Sequence, residues 1–215
     1  QWWRRRLRAR HCQAVEQVGR ELGLTSAHRQ LYVTDAGLRL IRERKRRNRA
    51  ILQEWEAVNE LGEAYTLADL ADRSVSNPQL RRNELMTRIA GTEQLARDIG
   101  HSALVATITC PSRFHATLAR SGRRNPRFDG STPRDGARYL NRVWANARRW
   151  FEEAGIAPYG IRVREPQQDG TPHDHYLLFV PADQEETVIR CLRTWALKDS
   201  PNEPGAQKHR FDLER

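Results

Sequence analysis

Two short β-like runs joined by a turn constrain the fold more than any other feature of this chain. The first run covers residues 160–165 and the second covers residues 173–180. The linker between them contains Asp169-Gly170, a strong turn signal, and Pro172, which can open a strand. The pattern predicts two strands that follow one another directly in the chain and are joined by this turn.

A pair of histidines lies on the second of these strands. Because successive strand residues point to opposite faces of a sheet, His173 and His175 project to one face and Asp174 projects to the other. Glu165 ends the first run, where it can lie beside the pair. Two imidazoles and a carboxylate on one face form a divalent-metal site with open positions, and a metal held there would polarise a phosphate oxygen.

Two other interpretations of this pair remain open from its spacing alone. One is a hairpin that merely carries two partly exposed histidines. The other is an oxygenase-type iron triad, although such a triad usually has one residue between its first histidine and its carboxylate. Here Asp174 directly follows His173.

The basic side chains are almost all arginine. Lysine and arginine together number 37, against 27 aspartates and glutamates, so the net charge is +10, and the lysines are Lys45, Lys198 and Lys208. Arginine binds phosphate in a bidentate fashion, and a strongly basic chain favours a polyanion as its partner. The composition therefore predicts a nucleic-acid partner.

The cysteines and the apolar runs bear on the cell compartment. Three widely spaced cysteines without a Cys-x-x-Cys motif argue against a structural zinc site and suit a reducing cytoplasm. No apolar run approaches the length of a membrane span, and no signal peptide is visible. We therefore expect a cytoplasmic protein with no membrane partner. Because the sequence begins at Gln1, we also expect that the natural N-terminus is missing.

The first hundred residues carry apolar side chains at helical spacing. The pattern predicts helices over residues 2–22, 35–59, 67–73 and 78–100. The residues expected to begin the last three helices, as caps or at the first position, are Asp35, Thr66 and Pro78. The aromatic residues expected to pack inward from the first helix are Trp2 and Trp3.

From residue 101 onward the pattern alternates between strands and helices. A buried strand over residues 104–110 precedes a helix over residues 133–155, the two strands described above, a helix capped by Asp183 and an edge strand over residues 208–213. This order is that of the ferredoxin-like split βαβ fold. The chain is therefore predicted to be an α+β protein, with a helical N-terminal part and a central antiparallel sheet that has helices on one face.

Arginine-dense segments are predicted to contact nucleic acid. The polar loop over residues 112–132 is long, and a loop of this length is usually functional or mobile. The middle of the second helix is equally dense in arginine, which fits either nearby phosphate or an exposed helix relieved by acidic neighbours. The candidate DNA-binding residues are Arg113, Arg120, Arg123, Arg124, Arg127, Arg46 and Arg47. The expected neighbours of the metal site are Thr107, Thr109 and His115.

Several motifs resemble a known family. His-x-His on a strand, with a glutamate eight positions earlier and a Gly-Thr-Pro lead-in, is similar to the metal motif of HUH endonucleases. More narrowly, residues 159–175 resemble the phage replication gene A protein family. Residues 107–115 resemble the first motif of that family, and Ser74-Val-Ser-Asn-Pro and Asn83-Glu-Leu-Met resemble its upstream helical part.

The resemblance implies a fold, an activity and partners. It implies a helical region over residues 1–100, a candidate for DNA binding, and an HUH endonuclease domain over residues 101–215, truncated at its C-terminal end. The implied activity is nicking and joining of single-stranded DNA at a replication origin, to start rolling-circle replication in the bacterial cytoplasm. Mg or Mn would be held by Glu165, His173 and His175, and a host replication helicase is a further implied partner. A non-catalytic DNA-binding module of a replication protein is the alternative function.

The sequence departs from the family pattern between the two histidines. That position is normally bulky and apolar, and here it is Asp174. In the implied fold Asp174 points toward the helices, where an unpaired buried carboxylate is costly. We therefore expect either that an arginine meets it or that the strand lies near an end of the sheet.

The family's nucleophile is a tyrosine on a helix that follows the histidine strands, beyond a segment resembling residues 208–215. None of the tyrosines in this chain is expected beside the metal: Tyr32, Tyr65, Tyr139, Tyr159 and Tyr176. We therefore expect the nucleophile past Arg215, so that residues 1–215 alone would bind metal and DNA without forming a covalent DNA adduct.

Overall fold

The computed structural model describes residues 2–214, which combine helices with antiparallel sheets. The mixed α and β class predicted from the sequence is therefore confirmed. The helices are α1 (Trp2–Glu21), α2 (Asp35–Glu54), α3 (Leu67–Arg73), α4 (Pro78–Asp98), α5 (Pro133–Glu153), α6 (Glu185–Leu197) and α7 (Ala206–His209). The strands are β1 (Glu56–Val58), β2 (Ala64–Thr66), β3 (His101–Thr109), β4 (Tyr159–Pro166), β5 (Pro172–Pro181) and β6 (Phe211–Glu214). Within this range no helix is long and apolar enough to cross a bilayer.

The described residues divide into two compact units. One unit comprises residues 2–34 and 93–214, and the other comprises residues 35–92, so that α4 crosses the division. Residue 100, where the composition changes, instead marks the passage from the helices to the four-stranded sheet. The division into functional domains at residue 100 stays a prediction, and α1 belongs to the same compact unit as the sheet.

The unit formed by residues 35–92 contains a small hairpin that the sequence did not predict. The second helix was expected to run to residue 59, but it ends at Glu54, and β1 then pairs with β2. The side-chain oxygen of Asn59 accepts hydrogen bonds from the backbone N–H groups of Leu61 and Glu63, both at 2.9 Å. This local bonding competes with a helix and closes a turn instead. The prediction that residues 1–100 are all-helical is therefore wrong at this point.

The helix α1 begins with two aromatic residues that the sequence placed in the core. Trp2 and Trp3 are 62% and 71% exposed and contact each other edge to face, with ring centroids 4.5 Å apart. The prediction that they pack inward is wrong, because the first two turns of α1 are exposed on every side. Burial begins only near the C-terminal end of the helix, at Gly19 and Arg20.

The central sheet has the strand order β4-β5-β3-β6, and every neighbouring pair is antiparallel. The two strands predicted on either side of the Asp-Gly turn, β4 and β5, are therefore adjacent, and β6 is an edge strand as predicted. The central pairing aligns Thr107 with His175 and Thr109 with His173. On the other side of β5, Glu165 of β4 aligns with His173.

One face of this sheet is covered by α5 and α6. The buried cluster takes alternate residues from the strands and the apolar stripes of both helices, as period-two and period-3.6 patterns require. A capping box between Thr132 and Asp135 starts α5 where the sequence predicted. The main contributors to the core are Leu104, Ala106, Ile108, Leu140, Val143, Ala147, Tyr176, Leu178, Val180, Val188 and Leu192.

The C-terminal elements differ from the prediction in two places. The last long helix begins at Glu185 after a short 3-10 turn, and Asp183 lies within that turn and does not cap the helix. The edge strand begins at Phe211, because the preceding residues form α7. Arg210 separates the two elements, and its buried guanidinium donates to the backbone oxygens of Ala196 and Asp199.

Asp174 lies on the helix-facing side of β5 and is completely buried. Arg164 of β4 donates two hydrogen bonds to its carboxylate, Nε to Oδ1 at 2.6 Å and Nη2 to Oδ2 at 2.8 Å. The Tyr176 hydroxyl donates a third, at 3.3 Å. The sequence predicted either an arginine beside Asp174 or a strand near an end of the sheet, and the structure shows the arginine.

Removing this arginine should be costly. Arg164→Ala removes both of the short guanidinium hydrogen bonds to a completely buried carboxylate, so we expect the free energy of unfolding to fall by about 3–5 kcal/mol in urea denaturation. Arg148→Ala on α5 is the matched control, because its ion pair with Glu152 is exposed and spans 3.6 Å, and it should cost less than about 1 kcal/mol. Replacing Arg164 and Asp174 together by leucine should recover most of the loss. Equal losses in Arg164→Ala and Arg148→Ala would contradict this assignment.

Candidate metal centre

Three side chains converge on the sheet face opposite the helices. Glu165 of β4 lies directly across from His173 of β5, and His175 lies two residues further along β5 on the same face. Each offers one ligand atom, and these atoms all lie within 4.8 Å of one another. The two histidine Nε2 atoms are 3.0 Å apart, and the Glu165 Oε2 atom lies 3.8 Å from the Nε2 atom of His175. Among the described residues, this is the one group of three such side chains within that distance.

A threonine on the neighbouring strand orients one of the imidazoles. The Thr107 Oγ1 atom lies 2.9 Å from the Nδ1 atom of His175. When Nδ1 donates its proton to this hydroxyl, Nε2 keeps its lone pair for the cluster, which is the usual arrangement behind a metal-binding histidine. Thr109, the other predicted neighbour, aligns with His173 but donates its hydroxyl proton to the backbone oxygen of His209 at 2.9 Å.

The donor set suits a divalent cation. Two imidazole nitrogens and one carboxylate oxygen match the ligands of Mn²⁺, and Mg²⁺ also accepts the carboxylate. Burial, and then the neighbouring His175, lowers the pKa of His173 below its ordinary value, which favours the neutral, ligating form of the ring. Glu165 is more than half exposed and His175 is 38% exposed, so a cation would have room for further ligands.

A cavity of about 1110 Å³ adjoins this cluster. Glu165 and His173 form part of its wall, so a molecule bound there would meet the cluster directly. Sites for small ligands measure about 300–1,000 Å³, so this cavity is large enough for one. Most of the remaining wall comes from α7 and from the loops that precede α2 and follow β3 and α6, through Ala27, Tyr32, Ser112, His115, Thr117, Leu118, Arg120, Asn125, Glu203 and His209.

The long loop after β3 is ordered by a buried asparagine. The Asn125 side-chain amide, in a residue only 2% exposed, donates to the backbone oxygens of Ser112 at 2.7 Å and His115 at 2.9 Å. Leu118 and Arg123 are joined by a backbone hydrogen bond of 2.8 Å further along. The loop therefore has a fixed path of its own, and it presents His115 to the cavity.

The arginines predicted to bind DNA fall into three groups. Arg113 is partly exposed but already paired, with Asp129 at 3.0 Å and Asp199 at 2.9 Å, and it lies over the ring of Phe114. Arg120 is exposed and lines the cavity. The exposed members outside the cavity wall are Arg123, Arg124 and Arg127 of the same loop and Arg46 and Arg47 of α2, which belongs to the other compact unit.

One tyrosine lies nearer to the site than its position in the sequence suggested. Tyr32 was expected to be remote because it belongs to the N-terminal part, but it lines the cavity. Its backbone N–H donates to the oxygen of Gln168 at 3.1 Å, which ties the loop before α2 to the β4–β5 turn. Sequence distance did not reveal this approach, which depends on α1 packing beside the sheet in one compact unit.

Two of the other tyrosines are enclosed. Burial raises the pKa of Tyr139 to about 12 and raises that of Tyr176 further. Tyr159 bonds His101 at 3.1 Å near the opposite end of β3, and Tyr65 lies in the other compact unit.

Sequence reasoning missed two residues that shape this region. Asp169 was interpreted only as part of a turn, yet its buried carboxylate bonds His115. Arg20 was one arginine among many, yet it is 2% exposed and bonds three loop segments. The Asp-Gly pair predicted a turn but gave little indication that the Asp169 carboxylate bonds a histidine. Nothing in the local sequence distinguished Arg20 from the other arginines.

Comparison with known proteins matches the whole chain to one family. The profile of the bacteriophage replication gene A protein family covers residues 1–215. The chain is 37% identical over 216 residues to a replication protein of Haemophilus phage HP1, covering 100% of this chain and 27% of that protein. It is also 37% identical over 204 residues to a probable replication endonuclease from a prophage-like region of Salmonella typhi, covering 95% of this chain and 25% of the relative.

A third relative is the replication gene A protein of Escherichia phage 186. It is 37% identical over 216 residues, which cover 99% of this chain and 31% of that protein. The chain thus spans between a quarter and a third of the length of these relatives. No solved structure shows a significant match to it.

The cluster predicts how metal binding should respond to substitution. His173→Ala and His175→Ala should each remove most of the Mn²⁺ affinity measured by isothermal titration calorimetry, because each deletes one of three ligand atoms. His28→Ala is the control, since its ring bonds the backbone oxygen of Arg120 and lies outside the cluster. Unchanged Mn²⁺ binding in both site variants would exclude this cluster as the metal centre.

Proposed function

The chain belongs to the bacteriophage replication gene A protein family, and from this membership we propose that it takes part in nicking one DNA strand to initiate rolling-circle replication. The observation that carries the proposal is the convergence of Glu165, His173 and His175 on an open sheet face beside a large cavity. The names of the relatives, a replication protein and a probable replication endonuclease, support the same role.

The arrangement of the sheet supports an HUH-type nuclease fold. The edge strands of the sheet are β4 and β6, its second and fourth strands in chain order. The central strands are β5 and β3, its third and first. Two interleaved strand–helix–strand units give this order in the ferredoxin-like pattern. The two histidines then lie on the central strand β5 and Glu165 lies on the neighbouring edge strand β4, with α5 and α6 on the other face of the sheet.

Each group of residues would have its own role in the reaction. Glu165, His173 and His175 would hold Mg²⁺ or Mn²⁺, which when bound would polarise a non-bridging oxygen of the scissile phosphate. The cavity would receive the nucleotides beside that phosphate, and Arg120 in its wall would neutralise backbone charge. A tyrosine oxygen would form a bond to phosphorus as the bond to the 3′ oxygen breaks, which conserves the energy for rejoining.

The nucleophile remains to be assigned. Tyr139 and Tyr176 are poor candidates because their hydroxyl groups are buried behind the sheet, away from the cluster. Tyr32 is the tyrosine of the described residues that lines the cavity, where its exposed ring is suited to stack on a base. A host helicase as partner and the bacterial cytoplasm as location stay predictions.

Nicking is tested directly with a labelled single-stranded origin oligonucleotide, Mn²⁺ and the complete gene product. We expect one cleavage position and an SDS-stable protein–DNA adduct. His173→Ala and His175→Ala should abolish both and leave single-stranded DNA binding largely intact. Binding without cleavage in the unsubstituted protein would instead support a DNA-binding module of a replication protein.

The arginine excess predicts a strong salt dependence of DNA binding. Each phosphate contact releases counterions, so the logarithm of the association constant should fall by about 0.7 per contact for each unit of log salt on single strands. Arg120→Ala should reduce this slope by about one contact, whereas Arg113→Ala should leave it unchanged, because carboxylates already occupy that guanidinium. A slope near zero in fluorescence anisotropy would show that backbone contacts are not the main source of affinity.

A further inference from the structure

A hydrogen-bonded histidine–aspartate pair stands in the wall of the cavity, outside the metal cluster. The Nδ1 atom of His115 lies 3.2 Å from the Oδ2 atom of Asp169, and the aspartate side chain is only 6% exposed. Asp169 belongs to the β4–β5 turn, midway between Glu165 and His173. One hairpin therefore supports both the metal ligands and the partner of His115.

The carboxylate of this pair is held in its ionised form. Its Oδ1 atom accepts the backbone N–H of Thr171 at 2.9 Å, and its Oδ2 atom accepts the hydroxyl of the same residue at 3.0 Å. Burial by itself would raise the pKa of Asp169, but the bonds from His115 and Thr171 outweigh it and lower the pKa below its ordinary value. Because an ionised carboxylate only accepts, Nδ1 of His115 must be the donor, and in the neutral ring Nε2 then carries a lone pair.

A buried arginine fixes the chain on both sides of the pair. The Nε atom of Arg20 donates to the backbone oxygen of Asp169 at 3.0 Å, and its Nη2 atom donates to the backbone oxygen of Phe114 at 3.0 Å and to the Thr171 hydroxyl at 3.0 Å. Phe114 directly precedes His115. The guanidinium therefore ties the β4–β5 turn to the loop after β3, and the imidazole is positioned before any substrate binds.

The pair faces the same space as the metal cluster. His115, Glu165 and His173 all line the 1110 Å³ cavity. Among the described residues, His115 makes its hydrogen bond through Nδ1 and none through Nε2. A base oriented by a carboxylate, with its second nitrogen free in a cavity, is the arrangement that activates hydroxyl nucleophiles.

We propose that His115, oriented by Asp169, is the general base of the nicking reaction. The role rests on the proposed function. The Nε2 atom takes the proton of the attacking tyrosine hydroxyl as the new O–P bond forms. The P–O3′ bond breaks, and its electron pair stays on the 3′ oxygen, which takes a proton from water. On rejoining, the 3′ hydroxyl gives its proton to water as its oxygen bonds to phosphorus, and the imidazolium returns its proton to the departing tyrosine oxygen.

The test is single-turnover nicking of a labelled oligonucleotide by the complete gene product with Mn²⁺. His115→Ala should lower the rate by about 10²–10⁴-fold, the usual contribution of a general base. Its affinities for Mn²⁺ and single-stranded DNA should change less than about twofold, and added imidazole should restore part of the rate. His115→Gln keeps a donor toward Asp169 but lacks a base, so it should be as slow while folding normally. His11→Ala, on an exposed part of α1, is the matched control.

A second substrate distinguishes a general base from a general acid at His115. In a 3′-bridging phosphorothiolate the leaving thiolate needs no proton, so the loss in His115→Ala should persist, and its disappearance would overturn the role as base. Asp169 is a positioning residue, so Asp169→Asn should remove the preference for the Nδ1–H tautomer seen in ¹⁵N NMR of His115. Parallel losses of rate and of Mn²⁺ or DNA affinity, without imidazole rescue, would show a structural role.

Two results distinguish this inference from the proposed function. Normal nicking in His115→Ala would overturn the role of His115 alone. Failure of the unsubstituted protein to nick any single-stranded origin DNA would overturn the proposed function and this role with it.

Discussion

The antiparallel pairing of β3 with β5 is the interaction on which the rest of the structure depends. It runs in register from His101 and Pro181 to Thr109 and His173. Because side chains alternate between faces, this register sends one set of residues into the helical core and the other to the face that carries the candidate metal site. A slip by one residue would exchange the two sets, burying the histidines and exposing the core. The core and the candidate site are therefore specified by the same ladder of hydrogen bonds.

The helix-facing side of β5 shows how the sheet accommodates a charge in its core. Asp174 is completely buried, and it pairs there with Arg164, the residue directly across the ladder. Asn141 of α5 accepts a further hydrogen bond from that guanidinium at 3.0 Å. The ion pair thus links the sheet to the helix behind it, directly beneath the two histidines. Each oxygen of the carboxylate accepts a hydrogen bond from Arg164, and these bonds offset the free-energy cost of burying the charge.

Buried arginines hold the loops around the cavity. Arg20 joins α1 to the β4–β5 turn and to the loop after β3, while Arg210 pairs with Glu203 in the loop after α6. In both cases a planar guanidinium satisfies several backbone oxygens that loops would otherwise leave without donors. The arginine content that suggested a polyanion partner therefore includes side chains that act within the fold. Some of these side chains build the site, and the exposed ones remain available to phosphate.

The sequence by itself determined the local features. Period-two alternation placed His173 and His175 on one face, the Asp-Gly turn set β4 beside β5, and caps at Thr66 and Thr132 started their helices. These succeed because they depend on neighbours within a few residues. Only the tertiary structure decided that Arg164 would meet Asp174, that Trp2 and Trp3 would be exposed, and that Tyr32, Arg20 and Asp169 would gather around the cavity. Those contacts join segments more than a hundred residues apart in several cases, and their partners are chosen by packing, which no local pattern encodes.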